Sequence, residues 1–545
     1  MTVLCRAVTL SLDEGEGALR AVAARRLRIA RRRIVSLRIV RKSLDSRRGR
    51  APHFVYSIAI DLEPEVERAL LARRHPPVEP YHAPEIPTIE ALGGRERRPR
   101  PVVVGSGPAG LFAAWRLVAA GCPPIILERG PEVRERSRRW HRFIQGGEFD
   151  PESNLLFGEG GAGSYSDGKL YTRVSDARVH EILQALVGAG APPEILYEAH
   201  PHLGSNRLPS IVRRFREGLV EGGAKLRFST LLTGLVTEGG ETGAGSGGRI
   251  AGVKTEPGGV IETDSLFLAP GHSARDTLRM LAAEGIACAP KPFQMGVRVE
   301  HPQKLIDTLQ YGQSAGHPRL PPAEYRHVVK RGGGDLFSFC MCPGGEILPA
   351  TEGAGYICVN GASRYQRRGP FANSGFVITL GVNSYPGAPD PLGGLRLQEE
   401  VESRAARAAG IPFAAPALLL PDLLAKRVSS SLPESSYPFP LVPLPFEEFL
   451  PPFVLDAVRD GLRRLSDRLP GFSTEEALVT GPESRSSSPV RILRDEESRE
   501  SPSTPGLYPI GEGAGHAGGI VSAAIDGMRS AEAWIASQAA LPSGA

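Results

Sequence analysis

Three stretches of this 545-residue chain predict an α/β fold built on a doubly wound parallel sheet. The apolar run VVV at 102–104 leads directly into a glycine-spaced turn, GSGPAG, and then into the amphipathic segment LFAAWRLVAAG. The run PIILERG carries an acid, Glu128, eighteen residues past the last of those glycines. Near the C-terminus, LYPIGEGAGHAGGIVSAAIDG repeats the texture of strand, glycine turn and helix. The expected architecture is a Rossmann-like domain, an inserted mixed-sheet α+β domain and a small N-terminal α+β domain. The expected boundaries are 1–75 for the small basic domain and 76–100 for a proline-rich linker. The dinucleotide domain takes 101–289 and returns over 481–545, and an inserted substrate or cap domain occupies 290–480.

Each element has its own warrant. VLCRAVTLSL, IVSLRIVRKSL and HFVYSIAIDL alternate as half-buried strands do, while GALRAVAARRL and EVERALLARR have helical periodicity. Seven prolines between Pro76 and Pro101 mark the linker. The region 225–271 reads as a series of short strands and turns. Its GGETGAGSGG is a hairpin loop by composition, since no apolar strand feeds it and no helix follows. FQMGVRVEH, DLFSFCMC, YICVNGA and GFVITLGVN read as sheet strands, and GLRLQEEVESRAARAAG and LDAVRDGLRRLSDRL as helices. Residues 429–452, rich in proline and serine, read as a long loop or lid.

Composition narrows the class. Hydrophobic content of 41% and charged content of 23% are those of an ordinary globular enzyme. No apolar stretch reaches the roughly 18–20 residues a bilayer span needs, and the N-terminus lacks the pattern of a signal peptide. Six cysteines without C-x-x-C or zinc-ligand spacing point to a reducing cytoplasm and to no metal site. Between Arg20 and Arg50 stand thirteen Arg or Lys against one acid, Asp45. That run reads as a phosphate-binding face or as a solvated helix and strand edge. No base-stacking aromatics are interleaved with it, so nucleic acid is not the expected partner.

The opening turn has the residue types a diphosphate cradle needs. Gly105 permits the tight turn out of the strand, Gly107 lets the diphosphate approach the backbone, and Gly110 lets helix pack close to strand. Pro108 suits the first helical turn, where a missing N–H is harmless, and Ala109 follows it. The helix start then offers free N–H groups and a positive dipole end to an anion. Glu128 stands where a carboxylate accepts from a ribose diol.

The closing segment resembles the last motif of two-part FAD proteins related to glutathione reductase. The resemblance implies that Gly511 and Glu512 hold the ribityl chain, although Asp is the commoner acid there. It also implies that Gly518, Gly519, Ile520 and Val521 aim a helix start at the flavin pyrimidine. LFLAPGHSARDT is similar to the same superfamily's Ala-Thr-Gly strand end, with Pro270 where Thr is usual; Gly271 is the part carried over. The combination of NLLFGEGGAGSYSDGKLYTR, LAPGHSARDT, GVRVEHPQ, SFCMCPGGE and SRSSSPVRILRD with the closing segment resembles, over nearly the whole chain, a bacterial family. Its members are called FAD-dependent dehydrogenases or NAD(P)/FAD-dependent oxidoreductases of undefined substrate. The resemblance implies non-covalent FAD and hydride transfer to or from flavin N5 on a small-molecule substrate. A complete second nicotinamide unit is absent from the sequence, so NAD(P)H is expected only as a transient visitor.

Further candidates lie outside those motifs. In GEGGAGSYSDGK, Gly160, Gly161 and Gly163 let backbone approach the flavin or diphosphate. Lys169 reads either as a cation beside the flavin or as a salt-bridge partner of Asp167. Arg129 and Arg134 read as diphosphate ligands or as solvated surface. Cys340 and Cys342, on one face if their strand is regular, read as core residues or as a redox pair. His272, His301 and His516 are candidate acids or bases, and Arg485 and Arg491 candidate anion ligands or interdomain clamps.

Overall fold

The computed structural model describes residues 2–47, 49–72, 78–85, 88–89, 91–92, 99–239, 248–332, 334–387 and 389–540. Parts of the expected linker, and most of the expected hairpin loop at 239–248, lie outside the described residues.

At the centre is a five-stranded parallel sheet in the order Leu507–Pro509, Leu266–Leu268, Val102–Val104, Ile125–Leu127, Lys225–Arg227. Val102 pairs with Ile125 on one side and Leu266 on the other. The strands are short and uniformly apolar because both faces are covered. Side chains alternate between those faces. Val103, Ile126, Phe267 and Tyr508 pack against helices Pro108–Ala119 and Ile520–Ala539. Val102, Val104, Leu127, Leu266 and Leu268 pack instead on a three-stranded antiparallel meander, Leu231–Glu238, Arg249–Glu256 and Gly259–Glu262, and on helix Arg275–Ala283. The strand series expected over 225–271 is thus divided. Its first and last strands join the central sheet, and the three between them form the cover.

The two ends of the dinucleotide domain meet through helix packing. A Cβ at Gly527 would stand 2.0 Å from the Ala109 carbonyl oxygen, so the helices cross backbone to backbone.

The inserted region forms a seven-stranded mixed sheet. Its order is Val328–Val329, Leu336–Cys342, Phe371–Leu380, Phe293–Pro302, Leu478–Glu483, Ala415–Leu419, Leu441–Pro443. Helices Gly393–Ala409 and Pro452–Arg468 bury their apolar stripes on it. Residues 429–452 are not a free lid. Ser435 and the Ser436 N–H donate to the Glu300 carboxylate at 2.6 and 3.1 Å, and Phe446 and Phe449 are buried in the core. Sequence reading weighted the prolines and serines of that segment above the four aromatics that anchor it.

The N-terminal sheet runs Ile34–Asp45, His53–Leu62, Thr2–Ser11, Val78–Pro80. It docks on the main body where the Lys42 N–H donates to the Tyr197 carbonyl and the Ala199 N–H to the Lys42 carbonyl, both at 2.8 Å. Its basic run is partly neutralised within the sheet, Lys42 by Glu16 at 2.8 Å and Arg47 by Asp45 at 2.5 Å. No described helix is long and apolar enough to cross a membrane. Among the described residues, no group of His, Cys, Asp or Glu is arranged to hold a metal ion.

Candidate functional site

A single cleft runs along the C-terminal ends of the central strands, with about 1440 Å³ of space free of protein atoms, the open solvent at its mouth included. Strand ends of an open α/β sheet are where such ligands bind, because the chain must leave the sheet there in loops. Gly105, Gly107, Pro108, Ala109, Glu128 and Arg129 line one part, and Gly271, Gly511, Glu512, Gly518, Gly519 and Ile520 another. Gly161 and Gly163 lie between, and Phe339, Cys340, Asn360, Arg485 and Ser486 come from the inserted region.

The glycines have distinct physical roles. Gly105 is left-handed, φ +96°, and a Cβ there would stand 2.1 Å from the Ala269 carbonyl oxygen. A Cβ at Gly110 would stand 2.0 Å from the Gly105 oxygen and 3.2 Å from Val103, so this glycine sets the helix-to-strand distance. Gly107 differs: its Cβ would meet only the Gly161 Cα, at 3.9 Å. The space above Gly107 belongs to the cleft, and the helix beginning at Pro108 has no side-chain cap there. The helix beginning at Ile520 is likewise uncapped by any side chain. Two uncapped helix starts opening on one trough suit an elongated anion with polar groups at both ends.

Glu128 is buried and fully engaged. Its Oε2 accepts from the Ser106 N–H at 3.0 Å and the Ser106 hydroxyl at 2.7 Å, and its Oε1 accepts from the N–H groups of Gly130 and Gly158 at 3.0 Å. These four donors fill the roughly four lone-pair sites of the carboxylate, so a ribose hydroxyl binding there takes the place of one of them, such as the rotatable Ser106 hydroxyl. Arg129 is clamped between Glu152 and Asp276, with contacts of 2.7–2.9 Å, and lies 4.0 Å over the Phe157 ring. It is a cleft wall with its charge already matched. Arg134 is exposed and does not line the cleft.

Gly110, Gly160, Lys169 and Val521 lie outside the lining. Gly160 packs against Ser164 and Val212, and Val521 is in the core. Asp167 pairs with Arg367, whose Nε donates to it at 3.0 Å. Lys169 instead donates to the Met341 carbonyl. Of the three histidines, only His272 reaches the cleft. Burial first, then Arg485 and Arg275, push it down to about 4, so it is neutral at pH 7. His301 and His516 are tied to the carbonyls of Phe472 and Ile492 at 2.8 and 2.9 Å, away from the lining. Arg491 is exposed.

Sequence reading missed two residues that shape the site. Ser106, an unspecified position of the glycine motif, anchors Glu128. Arg136, fully buried, donates to the carbonyls of Asn154, Gly158, Glu159 and Gly161 at 2.8–3.2 Å and so holds the glycine loop against the cradle.

Glu512 makes a pH-dependent contribution. Burial pushes its carboxyl up to about 7, against the opposing pull of Lys291. Between about pH 4.5 and 7 the folded chain keeps a proton that the unfolded chain has released, so stability falls as pH rises and levels off above 7. Flavin-free Glu512→Gln is expected to lack that fall. Its melting temperature relative to wild type should climb between about pH 5 and pH 8, and a pH-independent difference would refute the assignment.

The uncapped helix starts, the open space over Gly107 and the Glu128 carboxylate fit an elongated dinucleotide such as FAD. The fold and cleft thus define an FAD-binding protein. Residues 292–486 match the family described as "FAD-dependent protein, C-terminal domain-like", residues 103–162 an NAD(P)-binding Rossmann-like domain, and residues 6–61 a domain of unknown function. A Clostridium beijerinckii protein, described only as "Uncharacterized protein", is 38% identical over 541 residues, 98% of each chain. The chain belongs to this FAD-dependent family, and FAD is its cofactor. Prolycopene isomerase of Daucus carota is 28% identical over 176 residues, 32% of this chain and 23% of that protein. A geranylgeranyl bacteriochlorophyll reductase-like structure from Thermoplasma acidophilum aligns with a TM-score of 0.35 at 14% identity, covering 81% of this chain and 79% of that one.

Proposed function

We propose that the protein is an FAD-dependent dehydrogenase whose small-molecule substrate is held between the flavin end of the cleft and the inserted sheet. The observation that carries this reading is the continuity of one cleft from Glu128 and Gly107 to Gly511–Ile520 and on to Phe339, Cys340, Asn360 and Arg485. FAD supplies a reversible two-electron acceptor there. The chain's own residues place and polarise the substrate. Arg485 is held rigid by Glu402, to which its Nε donates at 3.0 Å, while its Nη1 has no hydrogen-bond partner. Arg485 lines the cleft, which supports recognition of a substrate oxygen, such as a carboxylate or carbonyl, by its guanidinium. His272 stays neutral and offers a hydrogen-bonding imidazole, its Nδ1 2.6 Å from the Ser273 hydroxyl. It brings no charge that would compete with Arg485 for an anion.

The test is anaerobic addition of NADH, then NADPH, to the purified holoprotein. Bleaching of the flavin bands by either is expected and would name the reductant. Bands that persist with both nicotinamides and with carbonyl and carboxylate substrates would favour a non-catalytic flavoprotein. Arg485→Lys, which keeps the charge but loses the planar fork, is expected to raise KM at least about tenfold with a smaller change in kcat. Wild-type KM would remove Arg485 from substrate recognition.

A further inference from the structure

Cys340 and Cys342 do not sit as a regular strand would place them. Phe339 pairs with Gly375 and Cys342 with Asn373, so Cys340 and Met341 together face the single residue Ser374 in a bulge. Cys340 adopts φ +44°, a left-handed conformation rare for a side-chain-bearing residue. The bulge turns Cys340 to the wall of the cleft, while Cys342 stays buried. The chain folds back on itself here: the Cys342 thiol donates to the Cys340 carbonyl oxygen at 3.2 Å.

The surrounding charges are specific. Arg298, fully buried, pairs with Glu483 at 2.7 Å, and its Nη1 lies 3.3 Å from the Cys340 carbonyl oxygen. Arg367 is matched by Asp167. Among the described residues Lys169 has no carboxylate in ion-pair range; its ammonium reaches the backbone beside the two cysteines. A cation removed from water needs an anion close by, and of the groups acting on Lys169 the Cys340 thiol acts most strongly, ahead of Cys342 and Asp167. The groups acting on the Cys340 thiol are Cys342, Lys169, Arg298, Asp167, Glu483 and Tyr171. The hydrogen bond from Cys342, with the two cations, outweighs burial and Asp167 and pulls the Cys340 thiol below its ordinary range. Cys342 moves the opposite way, as expected of a pair sharing one proton.

We propose that Cys340 and Cys342 form a thiol–disulfide couple that acts on small disulfides entering the flavin cleft. The Cys340 thiolate attacks one sulfur of RS–SR, forming a mixed disulfide and releasing RS⁻. Cys342, its proton passing to the released thiolate, then attacks the Cys340 sulfur. The Cys340–Cys342 bond forms and the second RS⁻ leaves. Two cysteine thiols are thereby oxidised and one disulfide is reduced to two thiols. Reduced FAD is the donor of the two electrons that restore the dithiol. This last step alone rests on the proposed function above; the exchange itself does not.

The test reads the protein chain and is independent of flavin turnover. Purified full-length protein, with and without FAD, is mixed with oxidised glutathione, and its peptides are mapped by mass spectrometry without reduction. The expected product is a Cys340–Cys342 peptide lighter by two hydrogens. Cys342→Ser should stop at glutathione bound to Cys340, and Cys340→Ser should give neither product. Lys169→Met should slow the first step about tenfold or more at neutral pH, with the loss shrinking at alkaline pH. Cysteines at 340 and 342 as inert as the buried Cys358, or a Lys169→Met rate equal to wild type at every pH, would overturn the proposal. Exchange that occurs while NAD(P)H fails to bleach the flavin would support the couple and count against the dehydrogenase reading alone.

Discussion

Gly107→Val is expected to fold and to lose FAD. The backbone at Gly107 is extended, φ −76° and ψ −178°, which valine adopts without strain. Its Cβ would meet only the Gly161 Cα at 3.9 Å, an ordinary contact, so the Cβ itself displaces no protein atom. The added methyl groups enter the space over the start of helix Pro108–Ala119, where the diphosphate must lie for the helix N–H groups to reach it. A loss of at least about a hundredfold in FAD affinity is expected, about 3 kcal/mol. Far-UV circular dichroism and thermal melting of the flavin-free chain should match wild type. Gly110→Val is the contrast: its Cβ, 2.0 Å from the Gly105 oxygen, must force helix and strand apart. That variant should fail to fold, whereas the first should fail only to bind. Full FAD retention by Gly107→Val would show that the diphosphate lies elsewhere.

Arg136→Met is expected to cost about 3–5 kcal/mol of stability together with the bound cofactor. Arg136 is fully buried; its Nε and Nη1 donate to carbonyl oxygens, its Nη2 has no hydrogen-bond partner, and one face lies 4.7 Å from the Tyr165 ring. Methionine has similar bulk but no donors, so the Asn154 carbonyl would lose its donor, while those of Gly158, Glu159 and Gly161 would keep only their contacts from Gly161 and Ser164, in a place water does not reach. Gly158 and Gly161 would then be free to leave the cradle. Arg136→Lys should not rescue, because one ammonium cannot span carbonyls arranged for a planar fork. Chemical denaturation midpoints and the flavin content of the purified variants decide this. Wild-type values for both would show that the loop holds itself.

These two residues differ in how far the sequence reveals them. Gly105, Gly107, Gly110 and Glu128 are legible because their roles are local. A strand, a turn and a helix start follow one another, and the acid falls at the end of the next strand. The closing segment is legible for the same reason, and the two segments together define the FAD domain. Arg136 is not legible, since in the run VRERSRRWHRFI nothing local separates it from the solvated arginines around it. Only the return of residues 154–161 over the helix start buries it. Cys340 is hidden for a related reason. Alternation predicts one face for both cysteines, and a single extra residue in the ladder against Phe371–Leu380 breaks that alternation. The cover on the second face of the central sheet escapes periodicity too, since Lys225–Arg227 and Leu231–Glu238 lie close in sequence yet join different sheets.

The pairing of Asp167 with Arg367 rather than with Lys169 has a mechanistic consequence. An Asp167–Lys169 pair would leave the cysteines in neutral surroundings and make them ordinary core residues. With Arg367 taking the carboxylate, the Lys169 charge is directed at residues 340–342. The inserted region therefore contributes both Arg485 and the Cys340 thiol to the lining of the cleft.

The central claim is that the two ends of the dinucleotide domain build one cleft that holds FAD. The most direct measurement is the visible absorption spectrum of the purified, unheated protein, followed by release and identification of its chromophore. An oxidised-flavin spectrum with about one FAD released per chain is the expected result. A colourless protein that also fails to bind added FAD would contradict it.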